Sequence, residues 1–193
     1  MQMRTRILGS SIAAAGLLAT GLPAASAATP TLTPTASGST AAGSTPTASG
    51  PTPAWTPVTY SPRDYPAGDV CTFELKVDFP TQAVEDRVSI TNPDGTPFQT
   101  DFRGPLTARF TNAATGAQYL GDLSGAATLW NLPTGWSLWN VPDNIGVTIH
   151  AGNPYHAQGE FILSGGSVIA VSPTHQDAIL HQTTVTDVCA ELS

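Results

Sequence analysis

Residues 70–79 read Val-Cys-Thr-Phe-Glu-Leu-Lys-Val-Asp-Phe, and from Cys71 onward apolar and polar side chains alternate without exception. Successive side chains of a β-strand point to opposite faces of its sheet, so this period of two predicts a strand with one buried face. No other stretch of the chain gives so clear a signal for secondary structure. We therefore expect a β fold whose remaining strands follow this one.

Turn sequences separate several shorter candidate strands. One hairpin is predicted from residues 87–91 and 98–102, joined by Asn-Pro-Asp-Gly-Thr-Pro at 92–97, and a second from residues 106–111 and the stretch around Tyr119 and Leu120. Further strands are predicted at residues 126–132, 136–141, 146–150, 159–163, 168–171 and 181–188. Gly165-Gly166 predicts a two-residue hairpin turn. Eight or nine short strands without a helical period predict an all-β fold, an antiparallel β-sandwich or barrel spanning residues 55–193.

The composition agrees with a turn-rich β domain. Charged residues make up 11% of the 193 residues, against roughly 25% in average globular proteins. Two of the seven basic residues, Arg4 and Arg6, precede the predicted domain, which leaves five basic and fourteen acidic residues, a net charge of about −9. This charge repels phosphate backbones, so no nucleic-acid partner is expected.

Residues 1–27 have the parts of a secretory signal peptide. Arg4 and Arg6 precede an apolar run at 7–22, and Ala25-Ser26-Ala27 matches a cleavage sequence. A membrane anchor is the alternative. However, Pro23 follows the apolar run, and the basic residues of a stop-transfer signal do not follow it. We expect cleavage before Ala28, a secreted or extracellular protein, and no membrane span after cleavage.

Residues 28–54 contain only Ala, Thr, Pro, Ser and Gly apart from Leu32, and they carry no charge. Such a segment has too little apolar surface to offset the entropy of ordering, which predicts a disordered linker. Its hydroxyl groups could carry O-linked sugar, or the linker could be unmodified.

Cys71 and Cys189 are the two cysteines of the chain. In an exported protein, cysteines in the first clear strand and near the last predicted one favour a single disulfide bond. Two buried free thiols are the alternative.

Several short motifs resemble a group of small, uncharacterised, secreted β-rich proteins of actinobacteria. The motifs are Cys-Thr-Phe at 71–73, Thr-Asn and Thr-Gly at 111–112 and 115–116, Leu-Ser-Gly at 123–125, and the ending Thr-Asp-Val-Cys-Ala-Glu-Leu at 186–192. The resemblance implies an extracellular β-rich protein and brings no catalytic residues. The chain departs from the group in its Trp-rich residues 130–139.

Aromatic residues supply the candidate ligand-binding site, which comprises Trp130, Trp136, Trp139 and Tyr119. Indole faces presented by a β-sandwich can stack on sugar rings, although large aromatic residues also fill protein cores. Trp136 and Trp139 differ by three positions, so on one regular strand they would point to opposite faces. We expect the outward indole to contact a ligand and the inward one to stabilise the core. Either Trp136 or Trp139 could be the outward residue.

Catalytic and metal chemistry have weaker support in the sequence. His150, His156 and Glu160 could bind a metal ion only if strand pairing brought them together, and His156 follows an Asn-Pro-Tyr stretch typical of a loop. No nucleophile motif is present, and His175, His181 and Asp177 do not define a triad by spacing. We predict no catalytic residues, no metal site and no cofactor.

The sequence therefore favours a non-catalytic extracellular or cell-envelope-associated interaction protein, whose partner is an envelope glycan or an extracellular protein. A carbohydrate-binding module is the first alternative, and a small secreted hydrolase or metalloenzyme is the second.

Overall fold

The computed structural model describes residues 53–193, and this part of the chain is almost entirely β structure. The predicted signal peptide at 1–27 and all but the last two residues of the predicted linker lie outside it. The described strands are β1 (Thr56–Val58), β2 (Arg63–Tyr65), β3 (Leu75–Gln82), β4 (Val84–Thr91), β5 (Pro97–Gly104), β6 (Leu106–Asn112), β7 (Gln118–Asp122), β8 (Gly125–Asn131), β9 (Ser137–Val141), β10 (Ile145–Ile149), β11 (Gly159–Val171) and β12 (Asp177–Asp187). A short helix, α1 (Val188–Glu191), follows β12.

These strands form two antiparallel sheets. The eight-stranded sheet has the order β1-β4-β5-β8-β9-β11-β10, with β12 on the other edge of β11, and the four-stranded sheet has the order β2-β3-β6-β7. The predicted all-β antiparallel fold is confirmed. It has twelve strands rather than eight or nine, partly because β1 and β2 are three-residue strands too short to show a period in sequence.

Both predicted hairpins are present. β4 pairs with β5 across the turn at 92–96, and β6 pairs with β7 across residues 113–117. In β6 the alternation seen in sequence matches burial: Leu106, Ala108 and Phe110 are buried, whereas the residues between them are partly exposed.

The predicted hairpin turn at Gly165-Gly166 is wrong. Residues 159–171 form one strand, β11, and the two glycines lie in an irregularity of its pairing with β12. Both glycines have positive φ angles, 74° and 107°, so their conformational freedom bends a strand instead of reversing the chain. β10 pairs with the first half of β11 and β9 pairs with the second half, along the same edge.

Residues 159–163 of β11 are buried on both faces of the strand. Ile162 belongs to a cluster with residues of the four-stranded sheet, while Phe161 and Leu163 belong to a second cluster with Val147 and Ile149 of β10. Because adjacent side chains of a strand point in opposite directions, one strand contributes to two apolar clusters.

The predicted disulfide bond joins Cys71 to Cys189, with a Cα–Cα distance of 5.4 Å and a sequence separation of 118. The position of the cysteines differs from the prediction, because Cys71 precedes β3 in a loop and Cys189 lies in α1 rather than in a strand. Val188 and Leu192, on either side of Cys189, are buried in the same cluster as Leu75 and Phe110. The disulfide and the helix together fix the C-terminus to the four-stranded sheet.

Candidate functional site

Residues of both sheets line a cavity of about 450 Å³, which we call the central cavity. Most of its lining is apolar. Val77 and Phe110 come from the four-stranded sheet, and Phe102, Trp139 and Ile169 come from the eight-stranded sheet. Its volume lies within the range of roughly 300 to 1,000 Å³ typical of small-molecule sites.

The aromatic part of the lining is formed by neighbouring strands of the large sheet. The rings of Phe102 on β5 and Trp139 on β9 lie with centroids 5.0 Å apart at an interplanar angle of 36°. Between these strands, β8 places Ala127 directly opposite Phe102. The small alanine side chain leaves space beside the two aromatic rings, and Ala127 itself lines the cavity.

Glu160 is the buried ionisable group of the cavity lining. It lies near the start of β11, opposite Thr148 of β10, and its exposed fraction is 3%. The Thr148 hydroxyl donates a hydrogen bond of 2.7 Å to Oε2 of Glu160. Burial raises the pKa of Glu160 from 4.5 to about 7, because the charged form loses hydration, although the Thr148 hydrogen bond opposes the increase. Protonated and ionised forms therefore coexist near neutral pH.

The basic side chains of the lining are exposed to solvent: Arg63, Arg103, His150 and His175. The His150 Nδ1 atom lies 3.0 Å from Oδ2 of Asp69. Asp177 is half-buried, and its burial raises its pKa, while the nearby His150 and His175 act in the opposite direction. The cavity thus combines a buried carboxyl group with ionisable groups that remain in contact with water.

The four predicted ligand-binding residues do not form one surface. Trp139 lines the central cavity, whereas Trp130 is on the opposite face of the large sheet, where its indole Nε1 donates to Oε1 of Gln99 at 3.0 Å. Trp136 precedes β9 instead of lying in it, and its ring meets the ring of Tyr155 edge-on. Tyr119 is on β7 and packs against the core of the small sheet.

The candidate metal ligands are likewise separated. His150 contacts Asp69, and His156 packs edge-on against Phe161 with its Nδ1 atom 2.8 Å from the carbonyl oxygen of Ala157. Glu160 bonds to Thr148. Within residues 53–193, no group of three or more His, Cys, Asp or Glu side chains is arranged to hold a metal ion.

The sequence identified Trp139 and Glu160, but only as parts of other arrangements. It gave no reason to pair Thr148 with Glu160, since the two residues are twelve positions apart on strands whose register is visible only in the fold. Phe102 was predicted only as a strand residue. An apolar strand interrupted by a carboxylate, as at Gly159-Glu160-Phe161-Ile162, is the sequence signal that would have indicated a buried acid.

The described helix has only four residues, and nothing helical in this part of the chain is long and apolar enough to cross a membrane. No family model, curated protein or solved structure matches the chain.

Proposed function

We propose that this chain is a non-catalytic, secreted binding protein that takes up a small, mainly apolar molecule in its central cavity. The observation that supports the proposal is the cavity of about 450 Å³, lined mostly by apolar side chains of both sheets. Binding sites for small molecules are typically concave, mostly apolar and supplied with a few polar groups that orient the ligand. The central cavity has this composition.

Burial of apolar surface against the lining can drive binding without any chemical reaction of the ligand. Removing apolar surface from water contributes about 25 cal/mol for each Å². The aromatic faces of Phe102 and Trp139 provide such surface next to the small side chain of Ala127. Because both sheets already hold the lining residues in place, a ligand would not have to order them, which reduces the entropic cost of binding.

Export belongs to the same proposal. The Cys71–Cys189 disulfide is consistent with an oxidising compartment, where such bonds persist. The predicted signal peptide gives the route. These two features support an extracellular function for the cavity, in capture or transport of a small molecule.

Binding to envelope glycan through tryptophans stays a prediction. Its four candidate residues lie on different faces and elements. Trp136 has an aromatic neighbour in Tyr155, which is 51% exposed. These two rings meet at 60° and do not form a flat platform.

The experiment is a titration with diphenylhexatriene, a neutral dye that fluoresces in apolar surroundings. We expect saturable binding to one site per chain. Ala127→Phe should weaken binding by about tenfold or more, because the larger ring fills space beside Phe102. Ala117→Phe, on the exposed turn between β6 and β7, is the matched control and should bind the dye as the unaltered protein does.

Absence of dye binding would contradict the proposal, as would equal binding by the Ala127 and Ala117 variants. Conversion of a bound compound to a product would contradict the non-catalytic part.

A further inference from the structure

We propose that the ligand of the central cavity is an amphiphilic amine, whose protonated nitrogen binds the carboxylate of Glu160 while its apolar part lies against Phe102 and Trp139. This inference rests on the proposed function and names the chemical class of its ligand.

One oxygen of Glu160 is available to a ligand. The Thr148 hydroxyl occupies Oε2, whereas Oε1 makes no hydrogen bond within the described part of the chain. Gly146 lies beside this free oxygen, and even a methyl group on Gly146 would come within 3.6 Å of it. Glu160 also lines the cavity, so a bound molecule could reach its free oxygen.

No counter-ion neutralises Glu160 in residues 53–193. The ion pairs of this region join other groups, such as Arg87 with Asp101, Arg103 with Glu85, and Arg109 with Asp78. Arg103, which also lines the cavity, lies over the ring of Trp55, with its guanidinium carbon 4.0 Å from the ring centroid. The carboxylate therefore lacks the partner that a buried charge normally has.

A ligand ammonium group would supply this missing partner. A hydrogen bond between a cation and a carboxylate is shorter and stronger than one between neutral groups. In an apolar cavity the interaction is also less screened than in water. An alcohol would make only a neutral hydrogen bond, and a carboxylate would be repelled by ionised Glu160.

The test compares three probes with the same alkyl chain: decylamine, decanol and decanoic acid, each displacing diphenylhexatriene. For the unaltered protein at about pH 8 we expect decylamine to bind about tenfold more tightly than decanol, with decanoic acid weakest. This ranking needs no variant, so it remains informative even if a substitution prevents folding.

Glu160→Gln keeps the shape of the side chain and removes its charge. We expect it to weaken decylamine binding about tenfold and to leave decanol binding within about twofold. Glu74→Gln, which alters an exposed carboxylate paired with Lys76, is the matched control and should change neither.

The pH dependence separates Glu160 from the other charged groups of the lining, which are Arg63, Arg103, His150, His175 and Asp177. Decylamine binding should strengthen from about pH 6 to about pH 8 as Glu160 ionises. The other groups of the lining are the same in Glu160→Gln, so their effect on binding is present in both proteins. The difference between the two proteins therefore isolates Glu160.

Equal binding of decylamine and decanol would overturn the inference and leave the proposed function standing. Unchanged decylamine binding by a folded Glu160→Gln variant would do the same. If neither the dye nor any of the three probes binds, the proposed function fails as well.

Discussion

Glu160 couples the ionisation of the cavity to the stability of the fold. Its pKa is about 7 in the folded protein against 4.5 for an ordinary glutamate, because burial disfavours the charged form. Between these two pH values the folded chain holds more protons than the unfolded chain, so stability falls as pH rises. A difference of this size corresponds to about 3 kcal/mol in the free energy of unfolding.

We predict that Glu160 makes its full contribution to the free energy of unfolding below about pH 4.5 and that this contribution is lost by about pH 8. Urea unfolding at several pH values measures this loss. Over the same pH range, the free energy of unfolding of Glu160→Gln should fall by about 3 kcal/mol less than that of the unaltered protein. Asp177, whose pKa is also raised, contributes in the same direction in both proteins and so cancels from the comparison. Parallel pH profiles for the two proteins would show that Glu160 is not buried as described.

The tryptophans differ in what they stabilise. Trp139 packs against the apolar cluster of β10 and β11 and touches Phe102, whereas Trp130 bonds to Gln99 on the opposite face of the sheet. We predict that Trp139→Ala costs about 3 kcal/mol, near the lower end for a buried aromatic residue because the cavity already lies beside it. Trp130→Ala should cost clearly less. Denaturant unfolding of both variants measures the difference, and equal losses would contradict the assignment of the two faces.

Among the strands, β11 connects three others of the large sheet, because it pairs with β9, β10 and β12. Its irregularity depends on Gly165 and Gly166. Gly166 has φ of 107°, outside the region that side chains adopt easily, whereas Gly165 has φ of 74°, close to the left-handed conformation that asparagine tolerates.

We predict that Gly166→Ala lowers the free energy of unfolding by about 1 to 3 kcal/mol through backbone strain. Gly165→Asn is the control, and its cost should be smaller. Thermal unfolding of the two variants provides the comparison. Equal tolerance of both changes would indicate that residues 164–167 adopt another path.

The elements themselves were largely predictable from sequence, since alternation and turn residues act locally. The β4–β5 and β6–β7 hairpins follow from such local signals. Local signals failed at Gly165-Gly166, because the same residue pair suits either a hairpin turn or a bulge, and only the pairing of β11 with β9, β10 and β12 decides between them. The start of β3 was also misplaced, because the loop before it keeps the alternating pattern while contacting the C-terminus through Cys71.

The disulfide connects the loop before β3 to the helix after β12, so it closes a loop that contains most of the described chain. In the chain-entropy model, closing a loop of this length contributes about 5 kcal/mol. We predict that reduction of the disulfide lowers the free energy of unfolding by this order of magnitude. Urea unfolding with and without reductant measures the change, and no change would contradict the pairing.

The central cavity could not have been predicted from the sequence. Its lining comes from strands far apart in the chain, and its volume depends on how the two sheets pack against each other. Glu160 and Trp139 were identified by residue type alone, as a metal ligand and a stacking surface. Their roles in the fold emerged only when strand register placed Thr148 beside Glu160 and Phe102 near Trp139.

The proposed ligand site is the central cavity and not an exposed aromatic surface. Nuclear magnetic resonance of the nitrogen-labelled protein tests it through the four indole N–H signals, assigned by Trp→Phe substitution and followed during addition of decanol. We predict that the Trp139 signal shifts and saturates while those of Trp55, Trp130 and Trp136 stay in place. A fixed Trp139 signal together with shifts at Trp130 or Trp136 would instead place the ligand outside the cavity.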